Sequence, residues 1–131
     1  LKSWKNIATS LGEKLNQIEN NLHELVMGEL EFLENHWPKN LPSAVVHADI
    51  FPDNVFFDDD ATCCGVIDFY FACTDMLTYD LMIALNAWCF DTQNHTFDEK
   101  KSAALLHAYA AIRALTQEEK LALPVLARGA E

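Results

Sequence analysis

The sequence of 131 residues is poor in basic residues and in glycine, and it contains no apolar run long enough to span a bilayer. The 9 Lys and Arg residues stand against 20 Asp and Glu residues, for a formal net charge of −11 at pH 7. An acidic surface of this kind repels phosphate backbones. We therefore expect neither nucleic acid nor a membrane as a partner.

Cysteine is also scarce and shows no ligand spacing. The chain has four cysteines, none in a C-x-x-C pair: Cys63, Cys64, Cys73 and Cys89. They stand in apolar stretches, where free cysteine behaves as a small hydrophobic residue. Reduced thiols and a cytoplasmic location are therefore favoured over a disulfide framework or a zinc site.

Helical periodicity opens the chain. Apolar residues recur at steps of three to five at Leu11, Leu15, Ile18, Leu22, Leu25, Leu30 and Leu33. This stripe predicts a core-facing helical face between residues 1 and 35, in one helix or two, with Gly12 and the run NQIENN as break points. Pro38 and Pro42 end the pattern.

Three short β-rich segments follow. They are Ala44–His47, Val55–Phe57 and Gly65–Ile67. The acidic run Asp58–Asp60 between the second and third segments predicts a solvated hairpin turn, since it lacks the ligand spacing of a calcium loop.

Helical patterns then return to the end of the chain. Leu77–Phe90 carries apolar residues on one face, and Thr96 with Glu99 predicts a capping box for a helix reaching Ala114. Thr116 with Glu119 repeats that signal, and a last helix is predicted to begin near Pro124. The fold class is mainly α with a small β-hairpin insertion (α+β), in a single domain over residues 1–131.

Four polar residues suggest a reaction centre. His47, Asp49 and Asn54 have the spacing H-x-D-x-x-x-x-N, and Asp68 follows the third β-rich segment. In a hairpin, Asn54 at the start of one strand faces Asp68 at the end of the next. Their oxygens suit Mg²⁺, which leaves Asp49 to accept a proton from an attacking hydroxyl. Each residue alone could equally be structural, with His47 buried and hydrogen-bonded and Asp49, Asp53 and Asn54 in turns.

The motif pair resembles a known family. "HADIFPDN" followed by "GVIDF" is similar to the catalytic motifs of aminoglycoside phosphotransferase-like and choline kinase-like enzymes, a branch of the protein-kinase-like fold. Within that family, "HADIFPDNVFF", "IDFYFACTDMLTYDLMIALNAWCF" and "LPVLARGAE" resemble the C-terminal lobe of the homoserine kinases. The resemblance spans essentially the whole chain.

The resemblance implies a role for each matching residue. By position, Asp49 resembles the catalytic base, and Asn54 and Asp68 resemble the magnesium ligands. His47 and Asp80 resemble residues that support the loop. The sequence departs from many relatives at two positions, with Ala48 in place of Gly and Phe69 in place of Trp.

The implied activity is ATP- and Mg²⁺-dependent phosphorylation of the L-homoserine hydroxyl, on the way to threonine. Such kinases also need a Gly-rich phosphate loop and a strand lysine, yet the glycines here stand alone and the sequence opens without Met. We therefore expect a partial C-terminal lobe that lacks the N-terminal lobe and the last helices. Such a fragment is expected to be inactive alone and capable of self-association through an exposed lobe interface.

Substrate contacts are expected between Phe69 and Asp91. An amino acid needs an acceptor for its ammonium group and a donor for its carboxylate. The candidates are Tyr70, Asp75, Asn86, Trp88 and Asp91. The aromatic residues Phe69, Tyr70, Phe71 and Trp88 are otherwise more typical of a core than of a pocket.

Three alternatives stay open. The first is a kinase of choline or ethanolamine, methylthioribose or an aminoglycoside. The second is a metal-dependent hydrolase using His47, Asp49 and Asp68, for which the further histidines His36, His95 and His107 lie far away in sequence. The third is a non-catalytic binding lobe.

Overall fold

A computed structural model describes residues 2–91, 93, 94 and 96–130. The chain folds as two compact units, Leu1–Trp37 and Pro38–Glu131. That both units belong to one domain over residues 1–131 stays a prediction. His95, one of the histidines considered for a hydrolase, lies outside the described residues.

The first unit contains two helices separated by a 3₁₀ segment. Helix α1 spans Lys2–Leu11, the 3₁₀ segment spans Gly12–Gln17, and helix α2 spans Leu22–His36. Gly12 and Asn21 have positive φ angles of 49° and 66°, a conformation that interrupts an α-helix. The two break points predicted from Gly12 and NQIENN are therefore confirmed.

The predicted leucine stripe is buried only in part. Leu15, Leu30 and Leu33 are buried, but Leu11, Ile18 and Leu25 are 42%, 79% and 62% exposed. The expectation of one continuous core-facing face is wrong for these three residues. The helix breaks beside Ile18 and before Leu25 reset the rotation of the chain, so a regular spacing does not keep one direction across them.

Antiparallel strand pairs form the β part of the second unit. Strand β1 (Ser43–Val46) pairs with β4 (Cys73–Met76), and β2 (Val55–Phe57) pairs with β3 (Cys63–Val66). The predicted hairpin is confirmed, with Asp58–Asp60 in its turn. Strand β4 was not predicted, because the segment CTDM is short and half polar and gains its strand geometry from its pairing with β1.

One helix forms the centre of the second unit. Helix α3 (Leu77–Cys89) contacts β1, β4 and the two following helices, α4 (Glu99–Ile112) and α5 (Gln117–Arg128). Its residues Leu81 to Leu85 are all buried, so this part of the helix is covered on every side and not only on the one apolar face that the sequence predicts. A short ribbon of β5 (Phe90–Asp91) and β6 (Thr96–Phe97) separates α3 from α4. Among the described residues, no helix has the length and apolar character needed to cross a membrane.

Two predicted helix starts are wrong. Thr96 lies in β6 and does not cap α4; Asp98 is the N-cap, and its carboxylate accepts hydrogen bonds from the backbone N–H groups of Lys100 and Lys101. An aspartate immediately before a helix can satisfy those donors directly. Helix α5 begins at Gln117 and contains Pro124, because the capping box predicted at Thr116 opens this helix and leaves the proline in its interior.

The same capping box contains a buried charge. The Thr116 hydroxyl accepts from Glu119 N at 3.2 Å, and Glu119 Oε2 accepts from Thr116 N at 2.9 Å. Glu119 is fully buried, and its Oε1 accepts a hydrogen bond from Arg113 Nη2 at 2.8 Å. This bond raises the pKa of Arg113 above its usual value. The carboxylate therefore joins the end of α4 to the start of α5.

We predict that Glu119→Ala destabilises the protein by about 2–4 kcal/mol, because it removes a helix cap and leaves Arg113 without its buried partner. Urea unfolding of the full-length protein measures the change. Gln117→Ala, an exposed truncation in the same helical turn, serves as the control and should cost far less. Equal losses in the two variants would show that the buried carboxylate has no special role.

Candidate active site

The motif residues lie on the loop that joins β1 to β2. His47 follows β1 directly, and Asn54 ends a 3₁₀ turn, Pro52–Asn54, that leads into β2. Strand β1 is fixed by β4 and strand β2 by β3, so each end of the loop continues from a paired strand. Two hydrogen bonds fold the loop itself, from Phe51 N to Asp49 O at 2.8 Å and from Asn54 N to Phe51 O at 3.0 Å.

Asp80 supports the start of the loop. It stands in the first turn of α3. Its Oδ1 accepts a hydrogen bond from Ala48 N at 2.7 Å, and its Oδ2 accepts one from His47 N at 3.3 Å. Ala48 has a φ of +63°, in the left-handed region that favours glycine. The carboxylate thus receives two successive N–H groups that the turn at Ala48 directs to the same side.

His47 links the loop to the end of the hairpin. The side chain is buried, and its Nε2 lies 2.8 Å from Ile67 O. A carbonyl oxygen only accepts, so Nε2 carries the proton in this contact. The ring also meets Phe69 edge-on, with 4.6 Å between the ring centroids. His47 is therefore placed between β1 and the segment that carries Asp68.

Asn54 and Asp49 are in direct contact. The Asn54 amide nitrogen, Nδ2, donates to Asp49 O at 2.9 Å and to Asp49 Oδ2 at 3.0 Å. Both residues are partly buried. The amide nitrogen is thereby committed to Asp49, and the amide oxygen is the atom left to act as a ligand. Asp49 Oδ2 accepts the hydrogen bond from Asn54, and Asp49 Oδ1 receives none from it.

Asp68 lies beside Asn54. The pairing of β2 with β3 places Val55 opposite Val66, and Ile67 N donates to Asn54 O at 3.0 Å. Asp68 follows at once with a φ of +61°, and its exposed carboxylate accepts from Tyr70 N at 3.4 Å. Asn54 and Asp68 are thus brought to the same end of the hairpin, as the sequence pattern predicts.

The donor set of Asn54 and Asp68 fits Mg²⁺. Both residues offer oxygen, and this ion is commonly held by one or two protein groups together with waters and substrate phosphates. Within the described ranges no group of three or more His, Cys, Asp or Glu residues is arranged for a metal ion. A site built from these two oxygens therefore suits an ion that shares its coordination with a phosphate better than one that needs a protein cage.

Most of the predicted substrate-contact residues have hydrogen-bond partners within the protein. The Trp88 indole N–H donates to Ile50 O at 2.8 Å, and Asn86 Nδ2 donates to Ala127 O at 2.8 Å. The donors that were expected to meet a substrate carboxylate are thus engaged with main-chain carbonyls. Asp75 lies on β4, where its Oδ1 accepts from Met76 N at 2.7 Å.

Asp91 lies in the β5–β6 ribbon and caps its turn. It accepts hydrogen bonds from Asn94 Nδ2 at 2.7 Å and from Gln93 N at 2.8 Å. These bonds, that of the Asn94 side chain foremost, hold the pKa of Asp91 below its usual value. Asp91 and Trp88 both line a groove of about 610 Å³ at the end of α3.

The aromatic segment after Asp68 is exposed. Phe69, Tyr70 and Phe71 are 60%, 87% and 58% accessible, so the expectation that they belong to the core is wrong for this chain. They form a 3₁₀ turn that follows the hairpin. Tyr70 and Phe71 contact each other edge-on, with ring centroids 5.3 Å apart.

Sequence reasoning missed the main-chain partners of the site. The oxygens of Ile50 and Ile67 accept from Trp88 and His47, and the ring of Phe57 meets that of Trp88 with centroids 6.0 Å apart. Every residue has a main-chain carbonyl, so the amino-acid sequence does not show which of them accepts a bond from a side chain. The hydrophobic spacing that placed Trp88 on one face of α3 was the available hint.

Comparisons with known proteins agree on one family. A model of the phosphotransferase enzyme family, APH, matches residues 2–115. Homoserine kinase of Nitrobacter hamburgensis is 48% identical over 130 residues, which cover 99% of this chain and 39% of that protein. Homoserine kinase of Sinorhizobium fredii is 48% identical over 126 residues, which cover 96% of this chain and 38% of that protein. The chain thus spans about two fifths of the length of these curated relatives.

A solved structure shares the fold. The crystal structure of aminoglycoside-3'-phosphotransferase of type VIII aligns with a TM-score of 0.67 at 22% identity. The alignment covers 97% of this chain and 48% of that one. The predicted fold class, the C-terminal lobe of a protein-kinase-like fold, is therefore confirmed.

The left-handed conformation of Ala48 leads to a further prediction. Ala48→Gly should stabilise the full-length protein by about 1 kcal/mol. A left-handed residue with a Cβ costs about 1–2 kcal/mol, and relief of this strain is partly offset because glycine loses more conformational entropy than alanine on folding. Thermal unfolding measures the change. Ala44→Gly in strand β1 is the matched control and should destabilise. A lower melting temperature for Ala48→Gly than for the parent protein would contradict the strain at this turn.

Proposed function

The chain belongs to the phosphotransferase enzyme family, and from that premise we propose that the protein containing it transfers the terminal phosphoryl group of ATP to the side-chain hydroxyl of L-homoserine. The observation that carries the proposal is the contact of Asn54 with Asp49, on a loop whose start is hydrogen-bonded to Asp80. The similarity to proteins named homoserine kinase supports the choice of acceptor.

Asp49 is the proposed catalytic base. The hydrogen bond from Asn54 fixes one carboxylate oxygen, so the group is held ready to accept the proton of the acceptor hydroxyl. The hydroxyl oxygen forms the new bond to phosphorus, the proton moves to Asp49, and ADP leaves with the electron pair of the broken P–O bond. Such transfers depend mainly on positioning and on neutralising charge.

Asn54 and Asp68 are the proposed ligands of Mg²⁺. When bound, the ion supplies the positive charge that draws nucleotide phosphates to a chain with a formal net charge of −11. The Asn54 amide has separate tasks at its two ends, with its nitrogen on Asp49 and its oxygen available for a cation. This division links the position of the base to that of the phosphates.

His47 and Asp80 are proposed to hold the loop without reacting. His47 keeps the loop against Ile67 O, and Asp80 keeps the turn at Ala48. The first contact is to the residue after β3 and the second is to α3, so both join the loop to elements of the second unit. Free thiols and use of ATP suit a cytoplasmic enzyme, which we include in the proposal.

The acceptor's ammonium group is proposed to meet a carboxylate near the end of α3. Asp91 lines the groove there, and its carboxylate is exposed. Lys100 and Lys101 line the same groove and could neutralise a carboxylate. A groove with both signs of charge favours an amino acid over choline or ethanolamine, which have no carboxylate.

We predict that Asp49→Ala in the full-length protein lowers kcat by about a hundred- to ten-thousand-fold, the usual contribution of a general base, with ATP affinity nearly unchanged. Coupled ADP-release kinetics and calorimetry measure the two quantities. Asp53→Ala, an exposed aspartate of the same loop, is the control and should retain near-normal turnover. Near-normal turnover in Asp49→Ala would sink the assignment of the base.

The acceptor is tested by an ADP-release screen of the full-length protein with L-homoserine, choline, ethanolamine, methylthioribose and an aminoglycoside. We predict the highest kcat/KM for homoserine, because Asp91 with Lys100 and Lys101 offers a partner for both charges of an amino acid, and choline and ethanolamine have no carboxylate. A higher kcat/KM for choline or an aminoglycoside would overturn the choice of acceptor while leaving phosphoryl transfer standing. No turnover with any acceptor would favour a non-catalytic binding lobe.

A further inference from the structure

Trp88 contacts the loop that carries the proposed base. It stands in the last turn of α3, and its indole N–H donates to Ile50 O at 2.8 Å. Ile50 is the residue after Asp49, so the accepting carbonyl belongs to the peptide between Ile50 and Phe51. The contact lies inside the motif that runs from His47 to Asn54.

The ring of the same side chain contacts the strand that follows the loop. The Trp88 and Phe57 rings pack edge-on, with centroids 6.0 Å apart and an interplanar angle of 77°. Phe57 ends β2, the strand that begins just after Asn54. One side chain therefore contacts the chain on both sides of Asn54, by a hydrogen bond before it and by aromatic packing after it.

Helix α3 thus supports the first half of the loop at two places. Asp80 in its first turn receives the N–H groups of His47 and Ala48, and Trp88 in its last turn reaches Ile50. The two residues are separated by about 12 Å along the helix axis. Because residues 81–85 between them are buried, the helix is a rigid spacer between the two supports.

We infer that Trp88 is a positioning residue for the reaction, acting through Ile50 O and Phe57 to hold Asp49 and Asn54 in contact, and is not a ligand of the acceptor. This inference rests on the proposed function. An indole has a single donor and no acceptor, and that donor is already used by the loop. A substrate carboxylate could take it only by releasing Ile50 O.

The test compares three variants of the full-length protein. Trp88→Phe keeps a ring and removes the N–H, and Trp88→Leu removes both. Tyr79→Phe is the matched control, since it removes a hydroxyl of the same helix that donates to Gly129 O, just past the end of α5. Steady-state kinetics give kcat and KM, and hydrogen exchange of the backbone amides from Asp49 to Asn54 without nucleotide reports the loop itself.

The expected result for Trp88→Phe is a fall in kcat of about fivefold, the value of one hydrogen bond of about 1 kcal/mol, with the KM for homoserine unchanged. The loop amides should exchange faster by a similar factor, and Trp88→Leu should enlarge both effects. Tyr79→Phe should leave both at the level of the parent protein. A raised KM with unchanged kcat and unchanged loop exchange would overturn the inference and make Trp88 a substrate ligand.

Two readouts separate this inference from the proposed function. Hydrogen exchange of the loop amides is measured without substrate, so it tests whether Trp88 positions the loop even if homoserine is not the acceptor. If the variants do not fold, the indole N–H proton of Trp88 in the parent protein still decides. This N–H should be protected from solvent exchange in the free protein, and its NMR chemical shift should not change at saturating homoserine; free exchange, or a changed shift on adding homoserine, would contradict the bond to Ile50 O.

Discussion

The carboxylate of Asp80 is the contact on which the rest of the site depends. It receives two consecutive backbone N–H groups at a turn where Ala48 adopts a conformation unfavourable for a residue with a Cβ. A charged acceptor strengthens such bonds, and without it two partly buried donors would lack partners. The direction of His47 and Asp49 out of β1 follows from this one turn.

The residues that hold the loop in place lie both near it and far from it in sequence. Asp80 and Trp88 lie on one helix, whereas Asn54 binds Asp49 from within the loop and His47 reaches the end of the hairpin at Ile67. Each support uses a main-chain atom of the loop or of the hairpin. Backbone hydrogen bonds therefore fix the course of the loop, and the bond from Asn54 to the Asp49 carboxylate joins the two polar side chains that the loop carries.

The sequence predicted local features well where the signal is local. The hairpin follows from two β-rich segments around an acidic turn, and the capping box at Thr116 is confirmed because both of its partners lie within four residues. Residue spacing also brought Asn54 and Asp68 to one end of the hairpin. What failed depended on the surroundings: Thr96 became part of a strand because Asp98 competed as the cap. The bonds of Trp88 and Asn86 end on distant carbonyls, which no residue pattern identifies.

The burial of α3 has a consequence for how the site is lost. Local opening in proteins usually begins where few apolar contacts hold a segment, and the motif loop, partly exposed, would be such a place if it stood alone. Here its two supports project from the most buried helix of the unit. The loop therefore has little freedom to fray by itself, and its disorder is coupled to melting of the core. Heat should then abolish the arrangement in one cooperative step, with no long range of temperature over which a folded protein carries a loosened site.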